Sequence, residues 1–290
     1  VIKHATEENK KVLLVCNRVQ SAQYVYEQVK KNYPHIPTML IHSRFKRGAR
    51  AEMEKKLMGK DKNGHSTGQF NSSEKACIVV STQVVEVSLD VSFDLMVTEC
   101  APFDAMIQRF GRVNRKRDEN SIGILKPIYV IAPPETENDA KPYELKVLRE
   151  SYAQLPDGDV MRERDIQKKI DEVFPTIEMP EIEEHSIFKK TGEWTIHKLT
   201  HRPKSFLLER LEIDSVTCIV EADEERYLTD NYEKRMEMEI PVRYWSVNKF
   251  NQLHEGSRPF VVPNSAYSEE TGLDVERLKT AKSDINYQIL

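Results

Sequence analysis

Short, nearly unbroken apolar runs alternate with amphipathic stretches over roughly the first 130 residues of the chain. Lys11–Asn17 (KVLLVCN) has the continuous apolar character of a strand covered on both faces. Ser21–Tyr33 follows, with Ala22, Val25, Tyr26 and Val29 at helical spacing. Thr38–Ser43 predicts a second strand, and Arg47–Met58, with Ala51, Met53 and Leu57, a second helix. Gly59–Ser73 is polar and rich in Gly, Ser and Asn, which predicts a mobile loop. Ala76–Thr82, Leu95–Cys100 and Ile124–Ala132 predict three more buried strands, with a helix from about Phe103 to Gly111 between the last two. Strands alternating with helices build βαβ units, so the expected fold is α/β, a parallel sheet with helices on both faces.

Pro133-Pro134 and the polar residues after them end this pattern. Two helical patterns come next, Pro142–Leu155 and Glu163–Phe174, and then an acidic linker, Pro175–His185. The last hundred residues hold only short apolar runs, at Val216–Val220, Pro241–Val247 and Arg258–Val262, which predict a small mixed or β-rich domain. The expected division is a lobe over 1–133, linker helices over 134–181 and an accessory C-terminal domain over 182–290. A length of 290 residues has room for two modest domains. No apolar run approaches the ~20 residues of a membrane span, so no membrane partner is expected. Four scattered cysteines, Cys16, Cys77, Cys100 and Cys218, argue against a disulfide framework or a zinc site and fit a reducing, cytoplasmic setting. The start, Val1-Ile2-Lys3-His4, lacks a signal core and an initiator methionine, so the chain is expected to be a piece of a longer one.

The net charge of −4 conceals an asymmetry. Residues 1–132 carry 21 Lys and Arg against 14 Asp and Glu, and the remainder 22 against 33. A basic half suits contact with a polyanion, although an unevenly charged, solvated surface accounts for it equally well.

The densest chemical signal is Gln108-Arg109-Phe110-Gly111-Arg112-Val113-Asn114-Arg115-Lys116-Arg117. Arg109, Arg112 and Arg115 are three apart, so on a continuing helix they share a face. A planar, permanently charged guanidinium suits the spread charge of a phosphoryl group in transfer. The alternative is a basic helix end that complements the helix dipole or grips nucleic-acid phosphates. A second signal, Ser81-Thr82-Gln83-Val84-Val85-Glu86-Val87-Ser88-Leu89-Asp90, follows a predicted strand, where α/β sheets bind ligands. Glu86 and Asp90 can bond a ribose hydroxyl or orient an arginine, and a capped polar loop is the plainer account. A third, Ile41-His42-Ser43-Arg44-Phe45, ends another strand with bases flanking an aromatic, which suits a single-stranded backbone or an ordinary basic helix start.

Thr82-Gln83…Glu86-x-Ser88-Leu89-Asp90 followed by Gln108-Arg109-x-Gly111-Arg112-x-x-Arg115 resembles motifs V and VI of superfamily 2 helicases. In fuller wording it resembles the CRISPR-associated helicase–nuclease of type I systems, which degrades DNA bearing an R-loop. His42-Ser43-Arg44-Phe45, the closing Tyr267…Gly272-Leu273 and Arg162–Phe174 are similar to stretches of the same family. The resemblance implies that residues 1–133 are a second, RecA-like helicase lobe. It places Gln108, Arg112 and Arg115 toward the γ-phosphate of ATP, with Arg112 and Arg115 as arginine fingers. Arg109 would organise the motif, with Glu86 beside the nucleotide, and Asp90 would approach the ribose or couple to the fingers. Ser43, Arg44, Thr82 and Gln83 would hold the backbone of single-stranded DNA, and the extension beyond about Ile182 would be the accessory domain that closes over the DNA path. The implied partners are that DNA, a first RecA-like lobe, a nuclease domain and a CRISPR surveillance complex.

The sequence has no G-x-x-x-x-G-K-[ST], no Walker B box after a buried strand and no His-Asp dipeptide. ATP and Mg²⁺ would therefore be held mainly by a first lobe, and the isolated chain is expected to be inactive. His197 and His201 have a zinc-like spacing without a Cys or acidic partner nearby, and no metal site is expected there. Two other readings remain open at this point: a non-catalytic module that binds DNA or a partner, and a different superfamily 2 helicase or translocase.

Overall fold

The computed structural model describes residues 1–61, 63–86, 89–115, 119, 123–174, 215–253 and 259–281. The chain divides into two units, Val1–Phe174 with Ser268–Gly272, and Pro175–Tyr267 with Leu273–Leu290.

The first unit is built on a five-stranded sheet. Its elements are α1 (Ile2–Glu7), β1 (Lys11–Val15), α2 (Val19–Asn32), β2 (Thr38–Ile41), α3 (Arg47–Met58), β3 (Cys77–Ser81), β4 (Leu95–Glu99), α4 (Phe103–Phe110) and β5 (Ile128–Ile131). The strand order is β2-β3-β1-β4-β5 and every pairing is parallel. β1 and β3 are buried almost throughout, as a central strand covered by helices must be, and their runs of Val, Leu and Ile supply that burial. Alternate residues feed two cores. Val12, Leu14, Ile78 and Val80 meet Ala22, Tyr26 and Val29 of α2 on one face. Leu13, Val15, Met39, Ile41 and Val79 meet Leu57, Phe70 and Phe93 on the other. This is the parallel α/β sheet expected from the alternating pattern, and it is RecA-like, as the resemblance implied.

Two expectations are corrected here. Ile124–Ala132 is not a buried strand: only Ile128–Ile131 is extended, at the sheet edge, with Tyr129 and Ile131 exposed. Gly59–Ser73 is not simply a mobile loop. Phe70 and Asn71 are buried, Phe70 in the core, because a short 3₁₀ turn at Phe70–Ser72 folds back onto the chain. The Ser72 hydroxyl donates to the Gly59 carbonyl at 3.0 Å and fixes that return.

Beyond β5, α5 (Glu137–Ala140), α6 (Leu145–Ala153) and α7 (Ile166–Val173) follow. Leu145, Leu148 and Val173 pack on Phe103 and Met106 of α4, so these helices belong to the same unit and brace α4 from behind. The expected linker Pro175–His185 and the pair His197 and His201 lie outside the described residues.

The second unit contains β6 (Ser215–Val220), α8 (Glu224–Thr229), α9 (Tyr232–Met238), β7 (Ile240–Arg243), α10 (Tyr244–Val247) and β8 (Phe260–Val262). After β8 come β9 (Tyr267–Ser268), β10 (Gly272–Leu273) and α11 (Val275–Thr280). Its sheet runs β7-β6-β8, with β6 antiparallel to β7 and parallel to β8, the small mixed domain foreseen from the short apolar runs. Among the described residues no helix is long and apolar enough to cross a membrane.

Candidate functional site

Helical periodicity decides the fate of the first arginine. Phe103 and Met106 form the buried stripe of α4, and Arg109, three residues on, falls on the same stripe. Its guanidinium is fully buried, and only its planar fork makes that tolerable. Nε donates to Glu86 Oε1 at 2.8 Å, and Nη2 to Asn17 Oδ1 at 2.9 Å. Nη1 reaches Thr98 Oγ1 at 2.9 Å and the Glu99 carbonyl at 3.0 Å. These acceptors stand at the carboxyl ends of β1 and β4 and in the turn after β3, so one side chain ties three parts of the rim together. Arg109 is thus the hub of a buried hydrogen-bond network at the sheet rim. Of its donors, Nε is the one that pairs with the Glu86 carboxylate, through Oε1.

Asn17 and Tyr143 extend this network. The Asn17 main-chain N–H donates to Glu99 Oε2 at 2.6 Å, and its side-chain amide to the Cys100 carbonyl at 2.8 Å. Gln83 Nε2 donates to the Asn17 carbonyl at 2.9 Å and contacts the Tyr143 hydroxyl at 3.3 Å. A single Asn after a strand and a Tyr before a helix carry no sequence signal of their own. Asn71 is a further silent contributor: Oδ1 accepts from the Ser92 N–H at 2.7 Å and Nδ2 donates to the Asp90 carbonyl at 3.3 Å.

The second and third arginines do not share a helical face with the first, because α4 stops at Phe110. Beyond it, Phe93 N–H donates to the Arg112 carbonyl at 2.9 Å and Asn114 N–H to the Phe93 carbonyl at 3.1 Å, a parallel bridge that draws the chain straight. Asn114 then adopts φ +55°, a left-handed conformation that asparagine tolerates better than most residues. Arg112 is buried, with Nη1 donating to the Leu89 carbonyl at 2.5 Å and Nη2 to the Glu86 carbonyl at 2.6 Å. Its buried Nε has no acceptor. Burial, and then the nearby Arg115, lower its pKa, opposed by Asp90 and Glu86. Arg115 stays about half exposed, with Nε 3.5 Å from Asp90 Oδ1. Gln108 is exposed on α4.

Gln108, Arg112, Arg115, Asp90 and the Arg109–Glu86 pair are therefore gathered around the end of α4 and the turn after β3. This set suits a polyphosphate. Arg115 can exchange a weak, solvated pairing for a stronger anion, and a phosphate oxygen would satisfy the orphaned Nε–H of Arg112. Among the described residues no group of three His, Cys, Asp or Glu side chains could hold a metal.

Ser43, Arg44, Thr82 and Gln83 share another part of the rim. β2 and β3 pair in parallel with Ile41 beside Ser81, so the residues that follow each strand emerge side by side. Thr82 is buried and the Gln83 amide is engaged inward, whereas Ser43 and Arg44 are half-buried. The Ser43–Arg44 segment is held from within by His42, which is fully buried and stacks on Phe45 at 4.5 Å between ring centroids. His42 Nδ1 accepts the Arg44 N–H at 3.1 Å, which places the ring proton on Nε2, 3.0 Å from the Thr271 carbonyl. Thr271 lies in the 268–272 segment, which belongs to this unit although its flanking residues belong to the second. Gln23 donates to the same carbonyl at 2.7 Å, Tyr26 Oη bonds Glu270 at 3.1 Å, and Lys30 pairs with Glu270.

Burial pushes the His42 pKa from 6.5 down to about 3, with Arg44 adding to the effect and the Thr271 bond opposing it. Below pH 6.5 the unfolded state binds the proton that the folded state refuses. The stability contributed by neutral His42 is complete above that pH and is lost as pH falls toward about 3. Between pH 6.5 and about pH 5 the expected loss is about 2 kcal/mol. Urea unfolding across this window, compared with His42→Gln, tests it: an unchanged slope in the variant would remove His42 as the source.

Residues 8–118 match the family model described as "CRISPR-associated nuclease/helicase Cas3, C-terminal". The chain is 36% identical over 135 residues to the CRISPR-associated endonuclease/helicase Cas3 of Escherichia coli (strain K12), a match covering 46% of this chain and 14% of that protein. The crystal structure of T. fusca Cas3-ATP superposes with a TM-score of 0.63 at 21% identity, covering 90% of this chain and 36% of that one. A chain of a CRISPR RNA-guided surveillance complex in a pre-nicking state gives a TM-score of 0.61 at 21% identity, covering 93% and 41%. At these identities the structural likeness shows the fold. The chain thus spans well under half the length of these relatives.

Proposed function

We propose, from the match of residues 8–118 to the Cas3 C-terminal family model, that the chain is the second motor lobe of an ATP-driven single-stranded-DNA translocase in type I CRISPR immunity. The observation that carries the reading is the unequal state of the two arginines beyond α4. Arg115 is half exposed on a loose pairing with Asp90, and Arg112 lies behind it on two main-chain carbonyls. A guanidinium held by carbonyls alone keeps its full charge available to an anion that displaces them. Arg115 is the finger presented first, Arg112 follows when the turn after β3 shifts, and Gln108 flanks both.

ATP with Mg²⁺, held chiefly by a first lobe outside this chain, would supply the free energy of phosphoryl transfer. Within the chain, Arg112 and Arg115 neutralise charge at the terminal phosphate, Asp90 keeps Arg115 oriented, and the Arg109–Glu86 pair fixes the turn that carries both carbonyls. The same turn begins at Thr82 and Gln83, beside Ser43 and Arg44. Movement at the arginines is thereby passed to the segment assigned to the DNA backbone. A nuclease domain and a surveillance complex are the partners this reading requires.

Mixing the chain with a separately made first lobe of a Cas3 relative tests the assignment. The mixture is expected to hydrolyse ATP on addition of single-stranded DNA, while either part alone does not. Arg115→Ala and Arg112→Ala should each lower that rate at least about tenfold, within the range that an arginine finger contributes. Wild-type rates in both variants would show that the fingers lie elsewhere.

A further inference from the structure

Gln83, assigned to the DNA backbone, has already committed its hydrogen-bond donors. A phosphate oxygen only accepts hydrogen bonds, so a side chain that grips a backbone phosphate must offer an N–H or O–H. The two donors of the Gln83 carboxamide are both on Nε2. One goes to the Asn17 carbonyl at 2.9 Å and the other to the Tyr143 hydroxyl at 3.3 Å. The Asn17 carbonyl can only accept, which fixes this orientation of the amide. The other end of the amide, Oε1, would meet a phosphate acceptor against acceptor.

The Tyr143 hydroxyl is in the opposite state. Among the described residues it makes one hydrogen bond, as the acceptor from Gln83, so its own proton is left to give. The ring is half-buried against the core that holds Phe103, Met106 and Leu148. The loop that carries it is tied down at several points. Arg18, directly after Asn17, donates from Nε to the Lys141 carbonyl at 2.5 Å and from Nη2 to the Asn138 carbonyl. Tyr143 N–H donates to the carbonyl of buried Ala140 at 3.1 Å, and the Glu137 carboxylate accepts the Leu145 N–H at 3.1 Å. Two consecutive residues after β1 thus seat both partners of Gln83, Asn17 by its own carbonyl and Tyr143 through Arg18. Arg18 also brings a permanent positive charge to the loop.

We propose that Tyr143 is a further binding residue for the single strand, donating its hydroxyl proton to a backbone phosphate, and that Gln83 acts through it as a positioning residue. This rests on the reading that the strand crosses the rim at Ser43, Arg44, Thr82 and Gln83. By giving an N–H to the hydroxyl oxygen, Gln83 turns the O–H away from itself and polarises it into a better donor. The hydroxyl is neutral, so it adds a directed bond without displacing counterions. Phosphate is common to every nucleotide, so the contact carries no base preference.

Tyr143→Phe removes the hydroxyl and keeps the ring in its core. Binding of a labelled twelve-residue oligothymidylate to the full chain, followed by anisotropy over a range of salt, tests the assignment. Tyr143→Phe should raise Kd about tenfold, the effect of losing one hydrogen bond to a charged group, with an unchanged slope of log Kd against log salt. Gln83→Leu should raise Kd by a smaller factor, and adding it to Tyr143→Phe should weaken binding no further. Arg44→Glu should both weaken binding and lower the slope by about 0.7 or more, since it removes a phosphate-neutralising charge. Three results would overturn the proposal while leaving the strand on this rim: wild-type affinity in Tyr143→Phe, a lowered salt slope in that variant, or losses from Tyr143→Phe and Gln83→Leu that add. An unchanged Kd in Arg44→Glu would remove the strand from the rim, and the proposal with it.

Discussion

Replacing Arg109 with alanine is expected to destabilise the first unit by about 3–5 kcal/mol, the usual range when one partner of a buried, hydrogen-bonded charge is removed. The truncation strands Glu86, 11% exposed, and leaves Asn17 Oδ1, Thr98 Oγ1 and the Glu99 carbonyl without the donors they now share. It also opens a cavity beneath α4, between the rim of the sheet and the helices packed behind. Arg109→Lys should recover little of this, because one ammonium cannot reach acceptors on three elements in the plane that a guanidinium spans. Arg115→Ala, by contrast, removes an exposed ion pair and should shift stability by no more than about 0.5 kcal/mol. Urea unfolding of the three variants separates the arginine that builds the site from the one proposed to act in it. A change below about 1 kcal/mol for Arg109→Ala would mean that the buried network contributes little.

That distinction was partly present in the sequence. Arg109 sits three residues after Met106 and six after Phe103, so helical periodicity alone places it on the buried stripe with them. The same threefold spacing, carried on to Arg112 and Arg115, misleads because it presumes a helix that ends at Phe110. Its end depends on a bridge to Phe93, seventeen residues before Phe110 and visible only in three dimensions. The central strands were legible because burial on both faces demands an unbroken apolar run. Ile124–Ala132 is also largely apolar and yet forms an edge, since apolar content does not record a strand's neighbours. Asn17, Asn71 and Tyr143 act by bridging segments distant in the chain, and no local pattern marks such residues.

Gly272 shows how a residue with no side chain can govern a site assigned to another part of the chain. Its φ is +72°, where an L-residue is strained, and a Cβ there would lie 2.7 Å from the Arg44 carbonyl oxygen and 2.7 Å from His42 Cε1. Neither neighbour can give way cheaply. The carbonyl is main chain, and His42 is pinned by its contacts with Thr271, Arg44 and Phe45. Gly272→Ala is therefore expected to cost about 2–5 kcal/mol, backbone strain and overpacking together. Gly158 provides the control, with φ +66° and open space around the same hypothetical atom, so Gly158→Ala should cost only about 1–2 kcal/mol. If the chain relieves the clash by releasing residues 268–272, Gly272→Ala loses the His42–Thr271 bond without unfolding the sheet. Faster hydrogen exchange would then appear at Arg44 and at Thr271–Gly272, with β1 and β3 still protected. Exchange and stability both unchanged from wild type would mean that the 268–272 segment does not set the conformation of Ser43 and Arg44.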